Sequence, residues 1–229
     1  MYSLHIANKN YSSWSLRPWV LMRELNIPFS EQLHPFGLGS NWDAYRKFSP
    51  NGKVPCLQDG ELHIWDSLAI VEYLAETYPH VWPNDKAARA WARCASAEMH
   101  SGFQALRNMC GMSCGHRVQL HEISPALQKD INRIDELWNE GLGKFGGPFL
   151  AGEKFTAVDA FFAPVAFRVQ TYGLLLTGSA QHYQARLLSL EAMQDWYASA
   201  LVETWREPDH EREIQAAGKI LADLRQPPQ

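Results

Sequence analysis

The sequence is poor in several features that define whole classes of protein. Only four of its 229 residues are cysteines, and none forms a Cys-x-x-Cys pair, so it is not a disulfide scaffold and suits a reducing compartment. No stretch approaches the roughly 18 apolar residues of a membrane span. The N-terminus, MYSLHIANKN, lacks the basic start and apolar run of a signal peptide. We therefore expect a cytoplasmic protein.

Charge of one sign is also missing. Lys and Arg number 21 against 25 Asp and Glu, for a net charge of −4, and no basic stripe suggests a nucleic-acid or membrane surface. Small molecules or other proteins are the expected partners. With 46% hydrophobic and 12% aromatic residues, the chain can bury the core of one large or two modest domains, which excludes a disordered or fibrous protein.

The first third of the chain alternates strand-like and helix-like patterns. Tyr2, Leu4 and Ile6 recur at period two, which predicts a half-buried strand, and Asp59-Gly60 is a strong hairpin-turn signal. In chain order, the predicted elements are a strand at 2–6, a helix from about 12, a strand at 29–34, a short helix at 43–48, strands at 55–58 and 62–65, and a helix from 66. The predicted order is therefore βαβ, then αββα.

The pattern changes at the segment PHVWPND, where two prolines stop a helix and indicate a linker. Beyond it no strand is convincing, and long helical patterns occupy Lys86–Arg107 and Pro125–Leu142, with a third from Thr156. We predict one domain over residues 1–79 and a second, all-helical domain over residues 86–229. The tail LRQPPQ is expected to fray.

The segment NYSSWSLRPW carries the first chemical signal, because three serines in four positions exceed what helix capping requires. A free thiol with a pKa of about 8.5 is mostly protonated at pH 7. A hydroxyl at a helix N-terminus can donate to the thiolate, and the helix dipole favours the same charge. Ser12 is the preferred donor and Ser13 the second choice, although simple capping would also explain serines here.

The dipeptide Val54-Pro55 in NGKVPCL is a candidate cis peptide directly before a short strand. If Val54 is held extended, its N–H and C=O could hydrogen-bond a peptide-like ligand as an added strand would. An ordinary turn is the alternative interpretation.

In WDSLAIVEYL, Asp66 and Ser67 stand at a predicted helix N-terminus, where an anionic group is favoured. Ser67 could donate to a ligand carboxylate and Asp66 could accept from an α-ammonium, which together would suit the γ-glutamyl end of glutathione. Both residues would also serve simply as caps.

YSSWSLRPW, SPNGKVPCL and WDSLAIVEYL, in this order, resemble the glutathione S-transferase family, particularly its serine-type zeta and theta-like bacterial members. The resemblance implies an α/β thioredoxin-like N-terminal domain that binds glutathione as co-substrate, followed by an all-α C-terminal domain that shapes the second-substrate pocket. It places catalysis on Ser12, with Ser13 beside it. The implied glutathione contacts are Lys53, Val54, Pro55, Asp66 and Ser67. FTAVDAFFAPV is similar to the family's structural capping box, in which Thr156 would cap the helix and the Asp159 side chain would reach back to Thr156.

Other candidates concern the second substrate. The expected pocket residues are three on one face of the predicted long helix and three in loops: His100, Phe103, Arg107, Tyr11, Trp14 and Trp42. Packing explains them nearly as well. Cys110 and Cys114, near His116, lack zinc-ligand spacing, so we expect packing residues and no metal.

The implied reaction is attack by a serine-stabilised glutathione thiolate on a small apolar electrophile, with transfer, isomerisation, dehalogenation and peroxide reduction left open. A homodimer is expected, and no nucleic acid or membrane partner. Two alternatives remain. One is a non-catalytic scaffold that keeps the fold, and the other is a glutathione-dependent isomerase of the maleylacetoacetate type. The second is weakened by Trp14, which stands where the zeta motif has cysteine.

Overall fold

The structure is a computed structural model that describes residues 1–227. Its N-terminal part is built on a mixed four-stranded sheet of order β2-β1-β3-β4, in which β1 and β2 are parallel and the other pairs antiparallel. The strands are β1 (Tyr2–Ile6), β2 (Phe29–Leu33), β3 (Cys56–Asp59) and β4 (Leu62–Trp65). The predicted βαβ-αββα order is confirmed.

Strand β1 is buried on both faces, whereas its sequence pattern predicted a half-buried strand. Leu4 and Ile6 are fully buried on one face. On the other face, His5 is only 9% exposed because its ring stacks on His34 and Phe48, with centroids 5.1 and 4.5 Å apart. Polar aromatic side chains therefore cover the second face of this central strand.

Three helices complete this part: α1 (Ser13–Glu24), α2 (Trp42–Tyr45) and α3 (Ser67–Ala75). Helix α2 is a single turn. It begins one residue earlier and ends three residues earlier than the short helix predicted at 43–48. Pro18 is the sixth residue of α1 and lies inside the helix, so it removes the N–H that would otherwise bond to the carbonyl of Trp14. Asp66 caps α3, and its carboxylate accepts the Leu68 N–H at 2.8 Å.

The rest of the described chain is mainly helical, as predicted. Its helices are α4 (Lys86–Ser101), α5 (Gln104–Met109), α6 (Pro125–Phe145), α7 (Ala157–Tyr172), α8 (Gly178–Ser189), α9 (Glu191–Val202) and α10 (Pro208–Ala217). Within residues 1–227, no helix is long and apolar enough to cross a membrane. The single helix predicted over Lys86–Arg107 is wrong, because the chain breaks at Gly102-Phe103. Phe103 has a φ of 57°, outside the helical region.

Helix α7 is the buried centre of the molecule and packs against α1 and α4. Nearly all of its residues are buried, as expected for a helix that is apolar on every face. Its predicted capping box is confirmed: Thr156 N–H donates to Asp159 at 2.9 Å, and the Thr156 side chain accepts from the backbone of Asp159. The capping box fixes the residue at which α7 begins. It therefore also fixes which residues further along α7 contact α1.

An antiparallel ribbon, β5 (His116–Leu120) and β6 (Gly218–Asp223), was not predicted within the helical part. The tail after it does not fray as expected. Leu224 N–H donates to Gly115 O at 2.9 Å, and the Arg225 side chain is only 2% exposed. A Cβ on Gly115 would lie 2.3 Å from Arg225 Cγ, so a glycine is needed where the tail crosses. The last two residues of the predicted frayed tail lie outside the described part.

Candidate active site

A cleft of about 510 Å³ opens beside the N-terminus of α1. It brings together residues from both parts of the chain, including the ends of α5 and α7 and the start of α10. The sequence-predicted residues that line it are Tyr11, Ser12, Ser13, Trp14, Trp42, Lys53, Val54 and Arg107. Most of the candidate residues therefore converge on one place.

Five predicted residues lie outside the lining of this cleft: Pro55, Asp66, Ser67, His100 and Phe103. Pro55 is buried behind Val54. The sequence pattern placed His100, Phe103 and Arg107 on one face of a single helix. In the structure they do not share a face, because α4 ends at Ser101 and Arg107 lies in α5. Phe103 is instead buried in the core.

The two candidate serines differ in their hydrogen bonds. Ser12 is the N-cap residue of α1 and is 5% exposed, and its hydroxyl donates to Ser15 Oγ at 2.7 Å. Ser13 is half-buried and accepts from Arg168 Nη2 at 3.4 Å. Among the described residues, no acceptor takes the Ser13 proton. Ser13 can therefore donate to a ligand without breaking an existing hydrogen bond.

Arg168 is a site residue that the sequence analysis missed. It projects from α7, is 5% exposed, and donates from Nε to the carbonyl of Cys110 at 2.8 Å. It forms no ion pair with any described residue, and burial lowers the pKa of its guanidinium to about 10, which leaves it charged at neutral pH. The signal in the sequence was a single arginine in an otherwise apolar helix, AVDAFFAPVAFRV.

The Val54-Pro55 peptide is cis, as predicted. Val54 is half-buried at the cleft, and neither its N–H nor its C=O bonds to another group of the described chain. Lys53 beside it is exposed, with its N–H held by the side chain of Asn51 at 3.1 Å. This segment therefore presents a residue with a free main-chain donor and acceptor.

Asp66 and Ser67 lie above a buried positive charge. Asp66 has a φ of 75°, an uncommon conformation that can mark a functional position. Ser67 Oγ accepts from Arg17 Nη1 at 3.5 Å, which leaves its proton free. Arg17 is 1% exposed, and its Nε has no described partner. Burial, followed by repulsion from Arg107 and Arg168, lowers the Arg17 pKa well below its usual value. An anionic ligand at Ser67 would relieve this unpaired charge.

Trp14 separates this end of the site from the main cleft. Its ring lies between the guanidinium carbons of Arg17 at 4.2 Å and Arg107 at 4.5 Å, which is cation–π geometry. His100 meets the same ring edge-on, at 5.2 Å between centroids, and its Nε2 lies 3.5 Å from Asp66 Oδ2. His100 therefore contacts Trp14 and Asp66 and does not line the cleft.

The opposite wall is a stack of rings in which Tyr11 lies 5.0 Å from His210, and His210 lies 5.4 Å from Phe36. The Tyr11 hydroxyl donates to Glu211 and accepts from Arg225 Nη1 at 2.7 Å. Burial and the bond to Glu211 raise the Tyr11 pKa. Its proton thus points away from the cleft. His210 and Phe36 gave no sequence signal, since neither stands in a motif.

Cys110 and Cys114 are buried, and burial raises the pKa of Cys110 to about 12. The Cys114 thiol donates to Lys9 O at 3.5 Å. Within residues 1–227, no group of three or more His, Cys, Asp or Glu side chains is placed to hold a metal ion. Both thiols are protonated packing groups.

Comparisons with known proteins place this fold among the glutathione S-transferases. The family's N-terminal domain model matches residues 11–77, and its C-terminal domain model matches residues 119–207. The glutathione S-transferase-like protein OpS6 of Beauveria bassiana is 30% identical over 175 residues, which cover 70% of this chain and 76% of that protein. The chain therefore belongs to the glutathione S-transferase family.

Two further relatives bear on the site. The maleylacetoacetate isomerase of Rattus norvegicus is 28% identical over 157 residues, covering 66% of this chain and 71% of that protein. The crystal structure of a theta-class glutathione S-transferase from Xanthomonas axonopodis pv. citri, with glutathione bound, superposes with a TM-score of 0.62 at 25% identity, covering 86% of this chain and 96% of that one. The similarity thus spans both the N-terminal part and the helical part of the chain.

Proposed function

We propose that the cleft binds glutathione and that its thiolate attacks an electrophilic carbon of a second substrate. One observation carries this proposal: Ser12, Ser13 and the unpaired guanidinium of Arg168 meet at the N-terminus of the 12-residue helix α1. Hydroxyl donors, the positive end of the helix dipole and a fixed cation all favour a thiolate over a thiol.

The free main-chain groups of Val54 would pair with the cysteinyl unit of glutathione. Asp66 would accept from the γ-glutamyl ammonium. Ser67 would donate to the γ-glutamyl carboxylate, whose charge Arg17 would balance. Lys53 is exposed at the other end of the segment, where it would meet the glycyl carboxylate. This pose uses each group in its observed hydrogen-bonding state.

Family resemblance assigns the thiolate donor to Ser12, but the observed bonds favour a role for Ser13 as well. To reach a ligand, Ser12 must give up its buried bond to Ser15, whereas the Ser13 proton is free. We propose that both hydroxyls contribute, and that Ser13 donates without reorganisation.

Calorimetric titration with glutathione, beside turnover of an aryl halide, tests the proposal. Ser12→Ala and Ser13→Ala should still bind glutathione but lose about ten- to hundredfold in kcat/KM, the value of a hydrogen bond to a charged group. Ser189→Ala removes an exposed serine outside the cleft and should change nothing. Absence of glutathione binding by the wild type would favour the scaffold alternative, and full activity in both serine variants would refute the thiolate mechanism.

Isomerisation is a second candidate, supported by the similarity to the rat maleylacetoacetate isomerase. The sequence implied a small apolar electrophile, but two guanidinium groups, those of Arg107 and Arg168, line the cleft. Two guanidinium groups would suit a substrate that bears a carboxylate. Turnover of a cis-diketo acid to its trans isomer, with glutathione recovered unchanged, would favour this reaction over transfer.

We also propose that the chain forms a two-fold dimer. Strand β4 is an edge strand with two large apolar side chains exposed, Leu62 at 57% and Trp65 at 45%. Exposed sheet edges of this kind are usually covered. Sedimentation should give twice the chain mass for the wild type and the chain mass for Leu62→Lys, and a monomeric wild type would exclude the dimer.

A further inference from the structure

One histidine in the cleft has the surroundings of a proton donor. His210, in the first turn of α10, lines the cleft with its ring between Tyr11 and Phe36. Its Nδ1 lies 2.6 Å from Glu207 Oε2, and its side chain is 33% exposed. Nε2 has no hydrogen-bond partner among the described residues. The ring is thus fixed on three sides and free at one nitrogen.

Glu207 is buried to 7% exposure and also caps α10, since it accepts the His210 N–H at 2.7 Å. Although burial alone acts in the opposite direction, hydrogen bonds from the His210 main chain and ring lower the pKa of Glu207. A carboxylate held at Nδ1 makes that nitrogen the donor and orients Nε2 toward the cleft. Capping alone would not require the ring bond.

The tyrosines of the cleft cannot supply a proton there. The Tyr11 hydroxyl donates to Glu211, and the Tyr45 hydroxyl donates to the carbonyl of His34 at 2.8 Å. Burial raises the pKa of both phenols. Of the aromatic groups around the cleft, only His210 keeps an unengaged titratable nitrogen.

We propose that His210, oriented by Glu207, is the catalytic acid that protonates the second substrate when the glutathione thiolate adds to an α,β-unsaturated carbonyl acceptor. This rests on the proposed function. The glutathione sulfur bonds to the β-carbon, and the C=C π pair moves to form an enolate. Nε2–H gives its proton to the α-carbon, which leaves neutral imidazole. Solvent, which took the thiol proton of glutathione, returns one to Nε2.

Two substrates separate this role from a merely structural one. Addition to an enone needs a proton, whereas substitution on 1-chloro-2,4-dinitrobenzene releases chloride and needs none. His210→Phe keeps a ring between Tyr11 and Phe36. It should lower kcat for the enone about a hundredfold, within the usual range for a general acid, and should lower aryl halide turnover far less, so the ratio of the two rates changes. Exogenous imidazole should restore enone turnover in His210→Ala. His182→Ala, an exposed histidine on α8, is the matched control.

Each possible result bears on the role of His210. Equal losses on both substrates would make His210 a wall residue, and an unchanged enone rate would remove its role. A wild type that turns over the aryl halide but no enone would refute the proton-donor role, because His210 would then have no addition reaction to assist. A wild type that fails to bind glutathione would instead refute the proposed function on which this inference rests.

Discussion

The two sides of the cleft are built in different ways. On the glutathione side, the candidate groups lie in three short segments of the N-terminal part, each where a strand or loop leads into the next element: 12–13, 53–55 and 66–67. On the second-substrate side, Arg107, Arg168 and His210 come from three helices far apart in sequence. Arg225 anchors Tyr11, whose ring packs on His210. A ligand common to a family can be bound by local motifs, whereas the variable pocket depends on tertiary packing.

The largest expected effect is a loss of stability caused by a substitution on the second-substrate side of the cleft. Arg225 donates to Glu211 at 2.6 Å and to Asp223 at 2.8 Å, and its side chain is 2% exposed. Arg225→Met should lower the free energy of unfolding by about 2 kcal/mol, because it removes the charge-assisted hydrogen bonds to Glu211 and Asp223, whose side chains are 21% and 41% exposed. Urea denaturation measures this loss.

The same variant should retain glutathione affinity while the KM for the second substrate rises, because Tyr11 loses its anchor. Arg186→Met, which removes an exposed arginine, is the control and should be nearly neutral. A parallel loss of glutathione affinity in Arg225→Met would show that the two sides are not independent.

A smaller effect is expected from Ser67→Ala on the first side. The substitution removes a donor to the γ-glutamyl carboxylate but leaves the cap of α3, which Asp66 provides. Glutathione affinity should fall about tenfold, with stability and the KM for the second substrate unchanged. Calorimetry measures the first and steady-state kinetics the second. Unchanged affinity would move the carboxylate site away from Ser67.

This contrast also explains how much the sequence could predict. The strand and helix order, the cis Val54-Pro55 peptide and the Thr156–Asp159 capping box follow from residues close together in the chain. The β5–β6 ribbon does not, since it pairs segments about a hundred residues apart. The break at Phe103 was missed because a φ of 57° is uncommon for phenylalanine and no residue pattern predicts it. Arg168 and His210 were missed because a single residue in a helix carries no spacing pattern that reveals what faces it.

The smallest expected effect is a pH dependence of the KM for the second substrate. Although burial opposes the change, hydrogen bonds from the Arg225 side chain and main chain lower the pKa of Asp223 to about 2. Glu211 is shifted downward by bonds from Arg225 and Tyr11 against the same opposing effect of burial. In the unfolded chain, such carboxyls titrate near 4. Burial and then Arg225 lower the pKa of His116, which lies beside them.

All three shifts have the same sign. Each folded group binds protons less readily than in the unfolded chain, so their contribution is present near neutral pH and is lost as the pH falls from about 6.5 toward 2. The second-substrate KM should therefore rise on acidification at pH values where glutathione still binds. The rise should be modest, since Asp223 is 41% exposed and solvent screens it. Arg225→Met should abolish most of this difference between the two sides, because all three shifts depend on its guanidinium. If the variant keeps the same acid profile as the wild type, the network does not hold the second side.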